Sequence, residues 1–195
     1  MAVAYDPRTA LVIIDLQNDF ASPQGSLFVA GAERVVEQVN RQIALARAAG
    51  GHVLYTLDWH PPQTPHFQPQ GGIWPVHCVA ESWGAQFHPA LTVGGEIVRK
   101  GAGTEDGYSG FTVRDHESGE RSATLLEGLL RERGVERVIV VGLATDYCVK
   151  ATALDAAGKG FETVVLLDAV AGVELAPGDT ERAQDELRAA GVALL

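Results

Sequence analysis

The chain has 195 residues, of which 46% are hydrophobic and 21% are charged, values typical of a globular protein. Folding at this length buries roughly 70% of the surface that the unfolded chain exposes, so we expect a single domain over residues 1–195. The formal net charge of −10 is spread along the sequence, which excludes nucleic acid and anionic membranes as expected partners.

The sequence carries no sign of export. No stretch reaches the roughly 20 apolar residues of a membrane span, and Met1 to Thr9 lacks the basic and apolar regions of a secretory leader. Two cysteines, Cys78 and Cys148, are too few for a disulfide framework. We therefore expect a cytoplasmic protein with reduced thiols.

Short apolar strands alternate with amphipathic helices along the chain. Strands are predicted at 10–14, 52–57, 96–99, 138–141, 163–167 and 192–195, and helices at 32–49, 122–133, 145–157 and 179–190. Each helix must pack back onto the sheet, so the pattern predicts an α/β fold with six parallel strands covered on both faces.

Residues 58–93 depart from this alternation. They show no convincing periodicity, and six prolines are scattered among Gln, Gly, His and Trp. A connection longer than about 12–15 residues in a compact domain is usually functional. We expect this segment to form part of a binding site.

Polar side chains follow several of the predicted strands. Because ligands of a parallel sheet bind outside the carboxyl ends of the strands, Asp15, Asp58, Lys100 and Cys148 are expected at one edge. Taken singly, Asp15 could be a helix cap, Lys100 a surface charge and Cys148 an apolar filler. Together, Asp15, Lys100 and Cys148 could supply a base, a cation and a nucleophile. The helix dipole and the lysine are expected to lower the pKa of the Cys148 thiol.

A second group lies in the long segment: Asp58, His60, His66 and His77. Imidazoles with a carboxylate suit zinc, iron or manganese, and the lack of clustered thiolates argues against a structural zinc ribbon. On spacing alone, these could also be scattered loop residues.

The remaining histidines, His52, His88 and His116, show no such grouping and are interpreted as ordinary surface or packing residues. Cys78 has no second cysteine nearby and is interpreted as a structural thiol.

Two aromatic residues adjoin these groups. Phe20 follows Asp15 closely, and Trp74 precedes His77. Either ring could stack on a small planar ligand.

Several separated motifs occur in a fixed order along the chain. They are Ile14–Phe20, Asp58–His60 with His66 beyond, Trp74–Cys78, Lys100–Gly101 leading into Tyr108–Phe111, and Val141–Val149. Together they resemble the nicotinamidase/pyrazinamidase branch of the isochorismatase-like cysteine hydrolases. The resemblance runs from Ala10 to about Leu167.

The resemblance implies a Rossmann-like, three-layer α/β/α domain with a six-stranded parallel sheet. It assigns the catalytic triad to Asp15, Lys100 and Cys148, and the metal ligands to Asp58, His60, His66 and His77. It also assigns the oxyanion hole to the backbone N–H groups of Ala144 and Cys148, the family's cis peptide to Leu143–Ala144, and substrate contacts to Phe20, Trp74, Leu143, Ala144 and Tyr147.

The activity implied by the resemblance is deamidation of nicotinamide to nicotinate and ammonia, extending to pyrazinamide, through a thioester on Cys148. One divalent metal is implied, zinc foremost with iron or manganese as alternatives, which would orient the pyridine ring. The implied role is NAD salvage, with a small-molecule substrate and an open question of homo-oligomer assembly.

Other functions compete with this interpretation. An N-carbamoyl amide or ureido hydrolase of the same fold would keep the Asp, Lys and Cys but would not need the four metal ligands. An isochorismatase proper does not use a cysteine nucleophile. A metal-binding or scaffold protein without catalysis is also open, because fold alone never fixes function.

Overall fold

The computed structural model describes residues 3–103 and 105–195. Nine strands lie within these residues: β1 (Thr9–Ile14), β2 (His52–Asp58), β3 (Glu96–Lys100), β4 (Glu105–Asp106), β5 (Thr112–Asp115), β6 (Arg121–Ala123), β7 (Arg137–Leu143), β8 (Glu162–Ala171) and β9 (Ala193–Leu194). Six of them form a parallel sheet in the order β3-β2-β1-β7-β8-β9. The other three form a small antiparallel sheet, β4-β5-β6.

Helices cover both faces of the parallel sheet. They are α1 (Asn18–Ala21), α2 (Ala32–Ala48), α3 (Leu126–Glu132), α4 (Lys150–Gly158) and α5 (Asp179–Ala189). A π-helical turn, Thr145–Val149, leads directly into α4, and a 3-10 turn spans Gln68–Gln70.

Strand β1 lies at the centre of the core. All six of its residues are buried, and alternate side chains enter two apolar clusters. Leu11 and Ile13 pack in the cluster that includes α2, whereas Val12 and Ile14 pack in the cluster that includes α3, α4 and α5. A strand buried on both faces requires a continuous apolar run, which explains why residues 10–14 contain no polar side chain.

The predicted fold class is confirmed, including all six strands and their parallel arrangement. The predicted start of the helix at 122–133 is wrong. Ser122 belongs to β6, which pairs with β5, and α3 begins only at Leu126. The hydroxyl of Thr124 accepts a hydrogen bond from Leu126 N, so it caps the first turn. The sheet β4-β5-β6 was not predicted.

The order of the strands creates a crevice. From β1 the chain builds β2 and β3 on one side and β7, β8 and β9 on the other, so β1 and β7 flank the topological switch point. Gly142 in β7 has φ +112°, and a Cβ there would lie 2.2 Å from the carbonyl oxygen of Ile14. Only glycine allows this close approach beside the crevice.

The long segment after β2 is irregular, as predicted, and two side chains of the β1–α1 region hold it. Gln17 exchanges hydrogen bonds with the backbone of Asp58 and donates to the carbonyl of Ala85 at 3.0 Å. Asp19 accepts from Cys78 N at 2.7 Å. No helix in the described ranges combines the length and apolarity needed to cross a membrane.

Candidate active site

Asp15 is the first site residue in the sequence and directly follows β1. Its backbone adopts φ +48°, and its side chain is fully buried. Thr56 in β2 holds it on two sides, because the Thr56 hydroxyl accepts from Asp15 N at 3.2 Å and donates to Oδ1 at 2.6 Å. The second carboxylate oxygen lies 2.8 Å from Nζ of Lys100.

Lys100 ends β3 and is 1% exposed, an unusual position for a lysine. Its ammonium group contacts the carboxylates of Asp15 and Asp58 and lies 3.6 Å from Sγ of Cys148. The sheet explains this meeting, because the carboxyl ends of parallel strands share one edge. One buried cation thus touches all three of the other predicted polar residues.

Cys148 lies in the π-helical turn that follows β7. The hydroxyl of Thr152 donates to the Cys148 carbonyl at 2.7 Å, and Val149 N donates to the Ala144 carbonyl at 3.0 Å. The peptide bond between Leu143 and Ala144 is cis, as the resemblance implies. The turn places the thiol over the switch point.

Burial and the neighbouring charges together determine the ionisation of these groups. It raises the pKa of Asp15 above its usual range. Burial alone would lower the pKa of Lys100, but the carboxylates of Asp15 and Asp58 hold it well above its ordinary value. Burial, together with the carboxylates of Asp15 and Asp58, raises the pKa of the Cys148 thiol well above its ordinary value, although Lys100 lowers it. The expectation of a lowered thiol pKa is therefore wrong, and Cys148 rests as a thiol.

The predicted metal ligands form a second cluster beside Lys100. Ring nitrogens of His60, His66 and His77, all buried, lie within 4.8 Å of one another. Oδ2 of Asp58 lies 3.7 Å from Nε2 of His60 and 3.9 Å from Nε2 of His77. The three rings therefore form one cluster, and the Asp58 carboxylate lies beside two of them.

The hydrogen bonds of the three rings fit a metal ion at this cluster. Nδ1 of His66 donates to Asp106 at 2.6 Å and Nδ1 of His77 donates to the Pro75 carbonyl at 2.7 Å, which leaves Nε2 of each ring to act as a ligand. Within the described residues, neither ring nitrogen of His60 has a hydrogen-bond partner. Buried polar atoms seldom stay unpaired. A divalent metal bound through one of these nitrogens would satisfy that nitrogen.

Charge at the cluster also suits a cation. Burial alone would raise the pKa of Asp58, but Lys100 and the neighbouring imidazoles hold it well below its usual range, so the carboxylate is ionised. Burial lowers the pKa of His77 to about 4, so this ring is neutral near pH 7 and keeps a lone pair for a metal.

A glycine next to Lys100 makes room for the cluster. Gly101 has φ +75°, and a Cβ there would lie 2.8 Å from the His60 ring.

A cavity opens onto both clusters. Its lining includes most of the predicted site residues, namely Phe20, Asp58, His66, Trp74, His77, Leu143, Ala144, Tyr147 and Cys148. Leu27, Val29, Tyr108 and Val173 also line it and were not predicted as site residues. Tyr108 begins the motif Tyr108–Phe111, but the three aliphatic residues lie in loops where no sequence pattern indicates a binding site.

Aromatic rings form the wall of this cavity. Trp74 meets Tyr147 edge-on with ring centroids 4.9 Å apart, and its Nε1 donates to the Tyr108 hydroxyl at 3.0 Å. Phe20 lies 5.4 Å from the ring of His77. These contacts fix the rings around a narrow space that suits a small planar ligand.

One histidine has a different role from that expected. His116 was interpreted as an ordinary residue, but its Nε2 lies 3.0 Å from Oδ2 of Asp106, the carboxylate that also contacts His66. Asp106 and Thr56 were not predicted as site residues at all. Cys78 matches its interpretation as a structural thiol, because it is buried and its pKa is raised well above the ordinary value by that burial.

An α/β domain with an aspartate, a lysine and a cysteine grouped at its switch point has the composition of a cysteine hydrolase. Residues 9–195 match the family model of the isochorismatase domain, and the chain belongs to the isochorismatase family.

Named relatives within this family are similar to the chain over nearly its whole length. The chain is 41% identical to a nicotinamidase/pyrazinamidase of Mycobacterium tuberculosis, over 95% of this chain and 97% of the relative. The protein PnC1 from L. infantum, whose crystal structure is in complex with nicotinate, is 37% identical to this chain. Its TM-score is 0.89, and the match covers 100% of this chain and 96% of that one. The pyrazinamidase of Pyrococcus horikoshii in complex with zinc is 38% identical, with a TM-score of 0.85 over 97% and 99%.

Proposed function

We propose that this chain is a nicotinamidase, which hydrolyses nicotinamide to nicotinate and ammonia with Cys148 as nucleophile. One observation carries the proposal: the Cys148 thiol and the metal-binding cluster open onto the same aromatic-walled cavity. A planar amide held by its ring at the cluster therefore presents its amide carbon to the thiol. The nicotinate and zinc named in the two related structures support the same assignment.

The cavity binds the ring and positions the amide. Phe20 and Trp74 hold the two sides of the substrate ring, and Tyr147 packs against Trp74. Leu143 and Ala144, which precede Cys148 in the sequence, line the same cavity. Asp58, His60, His66 and His77 would hold a divalent metal, zinc foremost, which would supply a Lewis-acidic position for the pyridine nitrogen and so orient the substrate. Holding the reactants in this way accounts for much of the rate.

Proton transfer begins with Asp15. Because burial raises its pKa, ionised Asp15 is a stronger base than a solvated carboxylate, and it accepts the proton of the Cys148 thiol. Lys100 stays charged between them and stabilises the thiolate as it forms. Sγ then attacks the amide carbon.

The attack places negative charge on the amide oxygen. We assign its stabilisation to the backbone N–H groups of Ala144, directly before the π-helical turn, and of Cys148, within that turn. One such donor is typically worth roughly 10²–10³ in rate. Collapse breaks the carbon–nitrogen bond, and Asp15 returns its proton to the departing ammonia.

Hydrolysis of the thioester restores the enzyme. Asp15, ionised again, takes a proton from water while the hydroxide oxygen bonds to the thioester carbon. The carbon–sulfur bond then breaks, and Cys148 leaves as the thiolate, which regains its proton from Asp15. The carboxylic acid formed in this way loses its proton to the released ammonia or to water, which gives nicotinate. Pyrazinamide has the same six-membered ring with a nitrogen meta to the amide, and it carries a second ring nitrogen beside the amide, so we extend the activity to it.

Ammonia release from matched amides tests this function. Nicotinamide and pyrazinamide should turn over, whereas benzamide, which lacks the ring nitrogen, should lose at least about tenfold in kcat/KM because it forfeits the metal contact. A ureido acid and an N-carbamoyl amino acid serve as competing substrates. Turnover of either of these without turnover of nicotinamide would contradict the proposal.

The proposed function also includes a cellular location, a domain organisation and a class of partner. We place it in the cytoplasm, supported by two buried free thiols, and treat residues 1–195 as one domain that needs neither nucleic acid nor membrane. Whether identical subunits assemble is a separate question, which light scattering would answer.

A further inference from the structure

Asp106 lies against the metal-binding cluster, outside the cavity lining. Its Oδ2 accepts a hydrogen bond from Nδ1 of His66 at 2.6 Å, and the same oxygen lies 3.0 Å from Nε2 of His116. Side-chain exposure falls from 27% at His116 to 20% at Asp106 and 8% at His66. The three residues form a chain from the surface to the cluster.

The small antiparallel sheet brings Asp106 and His116 together. Asp106 in β4 is paired with Arg114 in β5, and His116 directly follows β5. Two residues ten positions apart in sequence thereby flank one side of the buried His66.

A ring that binds a metal must offer a lone pair in a fixed direction. When Nδ1 donates to a carboxylate, the proton stays on Nδ1, and Nε2 keeps its lone pair and its orientation. His77 obtains this support from a backbone carbonyl, that of Pro75. His66 obtains it from the Asp106 carboxylate, which also adds negative charge and makes the ring a stronger ligand.

We propose that Asp106 is a positioning residue for the metal centre: it holds His66 in the ligating tautomer, and His116 in turn holds Asp106. This inference rests on the metal centre of the proposed function. It makes the β4-β5-β6 sheet a support of the metal site, through a contact that involves neither the substrate nor the metal itself.

A second metal bound by His66, Asp106 and His116 is the competing interpretation, because their ligand atoms also lie within 4.8 Å of one another. The distances favour hydrogen bonds. Ligands about 2.1 Å from a tetrahedral zinc ion stand roughly 3.4 Å apart, well beyond the 2.6 Å between His66 and Asp106. The geometry points to one metal with a supporting carboxylate.

Zinc affinity of the full chain, measured by competition with a chromophoric chelator, tests the inference. Asp106→Ala should weaken zinc binding by about 10- to 100-fold. Asp106→Asn should fall between the wild type and Asp106→Ala, because its amide oxygen still accepts the hydrogen bond without the charge. His116→Ala should have a smaller effect than Asp106→Ala. Glu105→Gln, which alters the neighbouring carboxylate in β4, should bind zinc as the wild type does.

Activity gives a second readout. With nicotinamide saturating, the zinc concentration for half-maximal rate should rise with Asp106→Ala, while kcat at saturating zinc stays within a few-fold of the wild type. A residue that only stabilised the fold would not shift the zinc requirement in this way. Circular dichroism and urea unfolding of the metal-free variants report on the fold, and Asp106→Asn carries the test if Asp106→Ala does not fold.

Four outcomes would overturn the inference. They are wild-type zinc affinity in both Asp106 variants, an equal loss in Glu105→Gln, two zinc ions per wild-type chain with one lost in His116→Ala, and a wild-type chain that retains no zinc. The first three leave the proposed function intact. The fourth removes the metal centre from the proposed function as well.

Discussion

Lys100 and Asp58 form a buried ion pair that joins the two halves of the site. The ammonium group donates to Oδ1 of Asp58, while Oδ2 of the same carboxylate faces the rings of His60 and His77. The ammonium group also contacts Asp15 at 2.8 Å. A single cation therefore balances the proposed base and the proposed metal ligand at once, so the two functions depend on the same side chain.

Replacement of this cation should destabilise the fold. Lys100→Met leaves Asp15 and Asp58 buried without their shared partner, and breaking a buried pair in this way costs about 3–5 kcal/mol. Urea unfolding of the metal-free protein measures the loss. Lys150→Met is the matched control, because Lys150 pairs with Glu186 in a partly exposed position, and its loss should cost about 1 kcal/mol or less. Similar losses in both variants would contradict the account.

The nucleophile can be separated from the metal cluster. Cys148→Ala should reduce ammonia release to the background rate, a loss of at least about 10⁴-fold, because no other group can form the thioester. Zinc content per chain should not change. Cys78→Ala is the control, since Cys78 is the second buried cysteine, it packs in the apolar cluster that includes α2, and its Sγ lies 3.9 Å from the Gly84 carbonyl. Turnover by Cys148→Ala at the wild-type rate would rule out the covalent mechanism.

The pH dependence of kcat/KM should report Asp15. Only ionised Asp15 accepts the thiol proton, so activity is lost as the pH falls through its pKa, tenfold per unit. Burial raises that pKa, which places the acid limb above the ordinary aspartate value of about 3.9. The measurement is made at saturating zinc, with zinc retention by Cys148→Ala checked at each pH. Activity that stays constant down to pH 4 would be inconsistent with this base.

The aromatic wall should govern substrate affinity. Trp74→Ala removes the ring that packs edge-on against Tyr147, and we expect KM for nicotinamide to rise about 2- to 13-fold with a smaller change in kcat, as an aromatic pair is worth about 0.5–1.5 kcal/mol. Trp83→Ala is the control, because Trp83 is 49% exposed and lies outside the cavity lining. An unchanged KM in Trp74→Ala would remove this ring from the binding site.

Much of this site could be predicted from the sequence because the sheet is regular. Asp15, Lys100 and Cys148 each follow an apolar strand or its turn, and in a parallel sheet that position determines which edge they share. The ligand cluster was predicted from residue types within one long loop. In both cases a simple rule connects sequence position to location in the fold.

Other parts could not be predicted, for physical reasons. Strands β4, β5 and β6 have two, four and three residues, too few for a periodic pattern, so the meeting of Asp106 with His116 left no signal. The start of α3 depended on Ser122 pairing in β6, a contact beyond local propensity. The pKa of Cys148 depended on its depth of burial, which outweighs the nearby cation.

The central claim is that one metal-assisted site deamidates nicotinamide, and ammonia release before and after removal of metal tests it most directly. The purified chain is assayed with nicotinamide as prepared, after treatment with a strong chelator, and after zinc is restored to the chelated sample. The account predicts that release falls on chelation and returns with zinc. Release from nicotinamide that is indifferent to chelation would contradict it.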